Sequence, residues 1–80
     1  MPASMQVSVQ QLGDFKPVTR RWRTWRKALE HGAHAIKKAV DQGRAQWGVY
    51  RVDVYDNLTH KSWLLSVDVN PEGWDVTVIK

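Results

Sequence analysis

The stretch Thr19-Arg-Arg-Trp-Arg-Thr-Trp-Arg-Lys-Ala-Leu-Glu-His-Gly-Ala-His-Ala-Ile-Lys-Lys-Ala-Val-Asp-Gln42 decides the fold. Its apolar or small positions Trp22, Trp25, Leu29, Gly32, Ile36 and Ala39 recur at spacings of three, four, three, four and three. That period lays a single stripe along one face of a helix, and no strand pattern produces it. Ala28, Ala33, Ala35 and Val40 widen the stripe, mostly with small side chains. The spacing predicts a helix over residues 19–42. Thr19 is its N-cap, Thr24 a second candidate start, and Gly43 the left-handed residue that closes it. Gly32 costs roughly 1 kcal/mol relative to Ala inside a helix. Its place in the stripe predicts that the helix backbone comes close to a sheet. Arg26 with Glu30, and Lys37 with Asp41, are spaced to pair along the exposed side.

Outward from the helix, the period changes from 3.6 to 2. Met5, Val7 and Val9 alternate with Gln6, Ser8 and Gln10, which predicts a strand with one buried face. Leu12 to Pro17 reads as a connection, with Phe15 tucked under the sheet edge. Past Gly43, residues 47–56 alternate with Tyr50, Val52 and Val54 toward the helix. Trp47, Val49, Arg51, Asp53 and Tyr55 then face away. Residues 61–69 place Trp63, Leu65, Val67 and Val69 on one face. Asn70-Pro-Glu-Gly73 carries the type I turn pattern, and Trp74, Val76 and Val78 alternate after it. The expected architecture is α+β in the order β-α-β-β-β, with one helix packed on a mainly antiparallel four-stranded sheet. The helix stripe is expected to face Val52, Val54, Leu65, Val67, Val76 and Val78. Residues 1–80 form one domain in this reading, with residues 1–4 disordered.

Eighty residues bury only about 60–65% of the unfolded surface, so the core is small. Five Trp residues offset that, because each aromatic buries on the order of 150–250 Å². The absence of cysteine excludes a disulfide framework and a Cys-based zinc site. No apolar run approaches the ~18–20 residues of a membrane span, and residues 1–5 lack the regions of a signal peptide. A cytoplasmic protein with no membrane partner is expected.

The net charge of +4 is unevenly spread. Residues 16–47 hold nine Lys/Arg against Glu30 and Asp41, while residues 48–80 hold three against five acids. Such a dipolar chain suits an anionic partner on one side only. Lys16 to Lys27 alone carries six Lys/Arg and no acid. As part of a helix, Arg20, Arg21 and Arg23 would oppose the positive end of the macrodipole, a cost that an anionic partner would offset. Arg20, Arg21, Trp22, Arg23, Arg26 and Lys27 are therefore the candidate binding residues, for nucleic-acid phosphates with Trp stacking or for an acidic or nucleic-acid-binding protein. On the outer sheet face, Trp47, Val49, Tyr55, Leu64 and Ile79 can form a recognition patch or a homodimer seam. Trp47 and Tyr55 lead that set, since both lie on one strand.

Catalytic constellations are thin. No cysteine nucleophile or glycine-rich phosphate loop is present, and the serines Ser8, Ser62 and Ser66 lie on strands. Asp53, Asp68 and Asp75 line up across the outer face as solubilising acids. His31 and His34 lie three apart, but the next turn offers Lys37 and Lys38, short of the three or four donors that zinc takes. They read as solvent-facing. No catalytic residue, metal or cofactor is expected, and the chain reads as a non-enzymatic binding protein.

Ala28, Ala33, Ala35 and Ala39 on one helix, with Ala35-Ile-Lys-Lys-Ala39 leading into Trp47-Gly-Val-Tyr-Arg-Val52, resemble the helix-to-strand passage of small phage anti-CRISPR proteins. The likeness is one of architecture over residues 28–55. It implies an inhibitor that works in the cytoplasm of a bacterial host, blocking target-DNA binding by a CRISPR surveillance complex. Many such inhibitors are acidic DNA mimics; this chain is basic, so the likeness does not extend to mimicry, and it carries over no functional residue. The alternative is a direct DNA- or RNA-binding protein using residues 16–27.

Overall fold

The computed structural model describes residues 4–13 and 15–80 of the chain. The elements are β1 (Met5–Val9), β2 (Val18–Arg20), α1 (Trp25–Asp41), β3 (Gly48–Asp56), β4 (Ser62–Asn70) and β5 (Gly73–Val78). One helix lies across a five-stranded antiparallel sheet of order β2-β1-β3-β4-β5. The α+β class and the single small domain of the sequence reading stand; the strand count is five, not four.

The additional strand is β2, inside the segment read as the start of the helix. Pro17 disfavours helical backbone at Lys16. The β-branched Val18 and Thr19 then favour extended structure. Together they supply the free edge of β1, with Val18 opposite Val7, Thr19 opposite Gln6 and Arg20 opposite Met5. The helix therefore begins six residues later than Thr19. Thr24, extended at φ −134° and ψ 157°, is its N-cap, and its hydroxyl accepts from the Lys27 amide at 3.4 Å. Trp22 fell on the helical period although it belongs to the extended approach. At the other end, Gln42 is the C-cap and Gly43 follows at φ 77°. Its amide donates to the Val40 carbonyl, closing the helix in the expected place.

The buried helix residues Ala28, Leu29, Gly32, Ala33, Ile36 and Ala39 form the stripe. A Cβ at Gly32 would stand 3.3 Å from Val7 and 3.4 Å from Val52, so the close approach is real. It falls chiefly on β1 and β3, with Val7 and Val9 as partners that the expected list lacked. A helix about 10 Å wide spans roughly two strands at about 4.8 Å spacing. β5 therefore lies at the margin of its cover: Val76 is half-buried and packs against the edge of the core, whereas Val78 is 50% exposed and not core. Leu65, Val67 and Val69 of β4 and Tyr50, Val52 and Val54 of β3 are buried as expected. The expected ion pairs do not form among the described residues; Arg26 lies instead over the Trp25 ring, 4.7 Å from its centroid.

Of residues 1–4, the first three lie outside the described residues. Ser4 lies within them, and its carbonyl accepts from the Asn57 amide at 3.0 Å. Among the described residues, no helix is long and apolar enough to cross a membrane.

Candidate functional site

Register brings three parts of the chain to one end of the sheet. Met5, the first residue of β1, pairs with Arg20 on one side and Asp56 on the other. Tyr55 pairs with Gln6 and with Ser62, so the β3–β4 hairpin lies at the same end. The helix starts there too. The basic segment 16–27 thus runs through β2, an extended link and the first helical turn, and it meets the hairpin at its end.

The hairpin is held by Asp56, a buried carboxylate. Its Oδ1 accepts from the Leu58 amide at 2.9 Å and the Thr59 amide at 3.3 Å. The Leu58 bond, helped by Thr59 and by nearby His60, holds its pKa below the ordinary carboxylate value, against a smaller opposing effect of burial. His60 takes a left-handed turn at φ 61°, and its Nδ1 lies 2.7 Å from the Tyr55 hydroxyl.

Between helix start and hairpin lies a cavity of about 390 Å³. Trp25 and Arg26 line it from the helix, Arg23 from the approach, and Asp56, Lys61 and Trp63 from the hairpin side. Among the described residues, three cations and two half-buried indoles therefore share this space with one carboxylate, whose Oδ1 is already taken up by backbone amides.

The candidate residues divide on this geometry. Arg23 and Arg26 line the cavity; Arg20, Arg21 and Lys27 are exposed around it at the same end. Trp22 is half-buried, its ring 5.5 Å from that of His31. It packs on the helix flank and does not line the cavity. Tyr55 belongs to this end, on the outer face. Trp47 precedes β3, at its far end, roughly 26 Å of strand from Tyr55. The two do not form one patch. Val49 is likewise separate, opposite Asp68, whereas Leu64 and Ile79 are neighbours through the hydrogen bond from the Ile79 amide to the Leu64 carbonyl.

The two helical histidines turn to opposite flanks. His31 is half-buried against Phe15 and Trp22, a correction to its expected solvent exposure; His34 is exposed and meets Trp74 of β5 edge-on at 4.9 Å. Burial, the adjacent Arg20 charge and His34 lower the His31 pKa. On the outer face, Asp68 and Asp75 are direct cross-strand partners, while Asp53 lies opposite Leu64 and accepts from Gln10 Nε2 at 2.8 Å. Only two of the three acids align, and they sit at the end away from the basic segment.

Sequence reasoning missed Lys61, Trp63 and Asp56 as members of the site. Trp63 reads as one more inward residue of β4. Its signal was position: it is the first of that row, beyond the point where a later-starting helix can cover it. Compared with protein-family models, curated proteins and solved structures, the chain matches none of them.

Proposed function

We propose that this chain is a non-enzymatic binding protein that modulates or inhibits a nucleoprotein complex, reaching it through the basic aromatic end. The observation that supports this is the convergence of Arg23, Arg26 and Lys61 with two half-buried indoles on one cavity. Cations bind phosphate without regard to sequence, and flat aromatic rings accept bases. The acids Asp68 and Asp75 of β4 and β5 lie at the far end of the sheet, so they do not offset the cations of the cavity. This agrees with the type of inhibitor that the sequence resembles, one that denies a surveillance complex its target DNA. Direct binding to free DNA or RNA is the second reading, favoured by the same indoles.

Capture from bacterial lysate tests the proposal when wild type is compared with the variant Arg20→Gln, Arg21→Gln, Arg23→Gln, with and without nuclease. The expected result is a discrete protein–nucleic acid assembly on wild type, reduced at least about tenfold on the variant. Equal capture by both proteins would remove the basic end from the function. Capture of nucleic acid alone would select the second reading.

A further inference from the structure

We infer that the cavity between Trp25 and Trp63 receives one unpaired nucleotide of a single-stranded nucleic acid. Its base lies against the indoles and its phosphate against Arg23, Arg26 and Lys61. The inference rests on the proposed engagement of a nucleic-acid component and goes beyond it by assigning a base-holding role to residues outside the basic segment.

Size sets the first limit. At about 390 Å³, the cavity falls in the range of small-ligand sites, roughly 300–1,000 Å³. That holds a nucleotide and excludes a duplex. Chemistry sets the second. Of the five tryptophans, Trp22 and Trp74 are committed to the rings of His31 and His34, and Trp47 stands at the other end of β3. Trp25 and Trp63 are the pair that faces one space, each only half-buried. The Arg26 guanidinium, 4.7 Å from the Trp25 centroid, sets a cation beside that indole, so that a base and its phosphate can be met together. Charge sets the third. Among the described residues, Asp56 is the one acid that lines the cavity, and its Oδ1 is turned to Leu58 and Thr59. The field inside favours an anion. An acidic peptide would use the cations but leave the planar walls unmatched. A paired base is shut inside its stack, so the nucleotide must be unpaired.

The test titrates the ¹⁵N-labelled protein with a short oligothymidylate and with an abasic strand of equal length. Both present the same phosphates; one lacks bases. The expected result is binding to the base-bearing strand at least about tenfold tighter than to the abasic one. The indole N–H signals of Trp25 and Trp63 should shift while that of Trp47 stays. Lys61→Gln, an exposed change on the hairpin, should weaken both strands by a similar factor and keep the preference. Trp63→Leu should abolish the preference and Trp63→Phe retain it, with thermal unfolding showing that each variant folds. Equal affinity for the two strands would overturn the base-binding role while leaving the basic end as a phosphate surface. Binding to neither strand by a protein that still captures its complex through the arginines would overturn it in favour of an acidic protein partner.

Discussion

Ile36 and Gly32 show how much of the fold rests on single side chains. Ile36 is fully buried, and Ile36→Ala removes a large group from a close-packed site at a cost of roughly 2–5 kcal/mol. Chemical denaturation reads this directly, and a change under about 0.5 kcal/mol would take Ile36 out of the core. At Gly32, a Cβ already stands 3.3 Å from Val7. Gly32→Leu overpacks that contact and should cost about 1–3 kcal/mol or more. Its helix propensity, better by roughly 1 kcal/mol, does not rescue it. His31 adds a dependence on pH. Its folded pKa lies below the ordinary value of 6.5. The unfolded chain therefore binds the proton first, and stability falls as pH drops through and below about 6.5. Wild type should lose thermal stability between pH 7.5 and pH 5.5 more steeply than His31→Gln does; parallel curves would show that His31 carries none of it. Asp56 acts lower on the scale: its contribution is present above the ordinary carboxylate range and is lost as pH falls below it.

At the scale of elements, the helix start is where sequence and structure part. The stripe from Leu29 to Ala39, the Gly43 stop and the alternation of β1, β3 and β4 were legible because period and burial agree over many residues. β2 was not. Three residues carry too little periodicity to announce a strand, and Trp22 and Trp25 happen to continue the helical spacing backwards. Val18 and Thr19 are decided by the vacant edge of β1, a tertiary fact. The site was legible in part for the same reason. The basic segment reads from charge alone, but Lys61 and Trp63 join it only through strand register. The cap supplies a test of the boundary. Thr24→Ala should cost about 1 kcal/mol, and Thr19→Ala only a few tenths. Lys27→Glu, three residues into the helix from Thr24, completes a capping box and places an acid at the positive helix end. It should stabilise by about 0.5–1 kcal/mol in denaturant titrations. Stabilisation by Thr19→Asn in place of any effect at Thr24 would move the helix start back to residue 19.

For the molecule as a whole, the fold concentrates cations at one end. The helix start, β2 and the β3–β4 hairpin gather Arg20, Arg21, Arg23, Arg26, Lys27 and Lys61 at one end, while Asp68 and Asp75 pair across β4 and β5 at the other. Arg20, Arg21 and Arg23 precede the Thr24 cap, so they stand outside the first helical turn. Replacing them should leave stability nearly unchanged. A loss of binding in that variant is then a loss of contact and not of fold. The most direct test is the salt dependence of single-strand binding, measured for wild type and for the Arg20→Gln, Arg21→Gln, Arg23→Gln protein. Each phosphate contact on a single strand contributes about 0.7 to the slope of log affinity against log salt. The slope should be shallower by about two in the variant, with weaker binding at every salt concentration and an unchanged unfolding midpoint. The same slope and affinity in both proteins would contradict it.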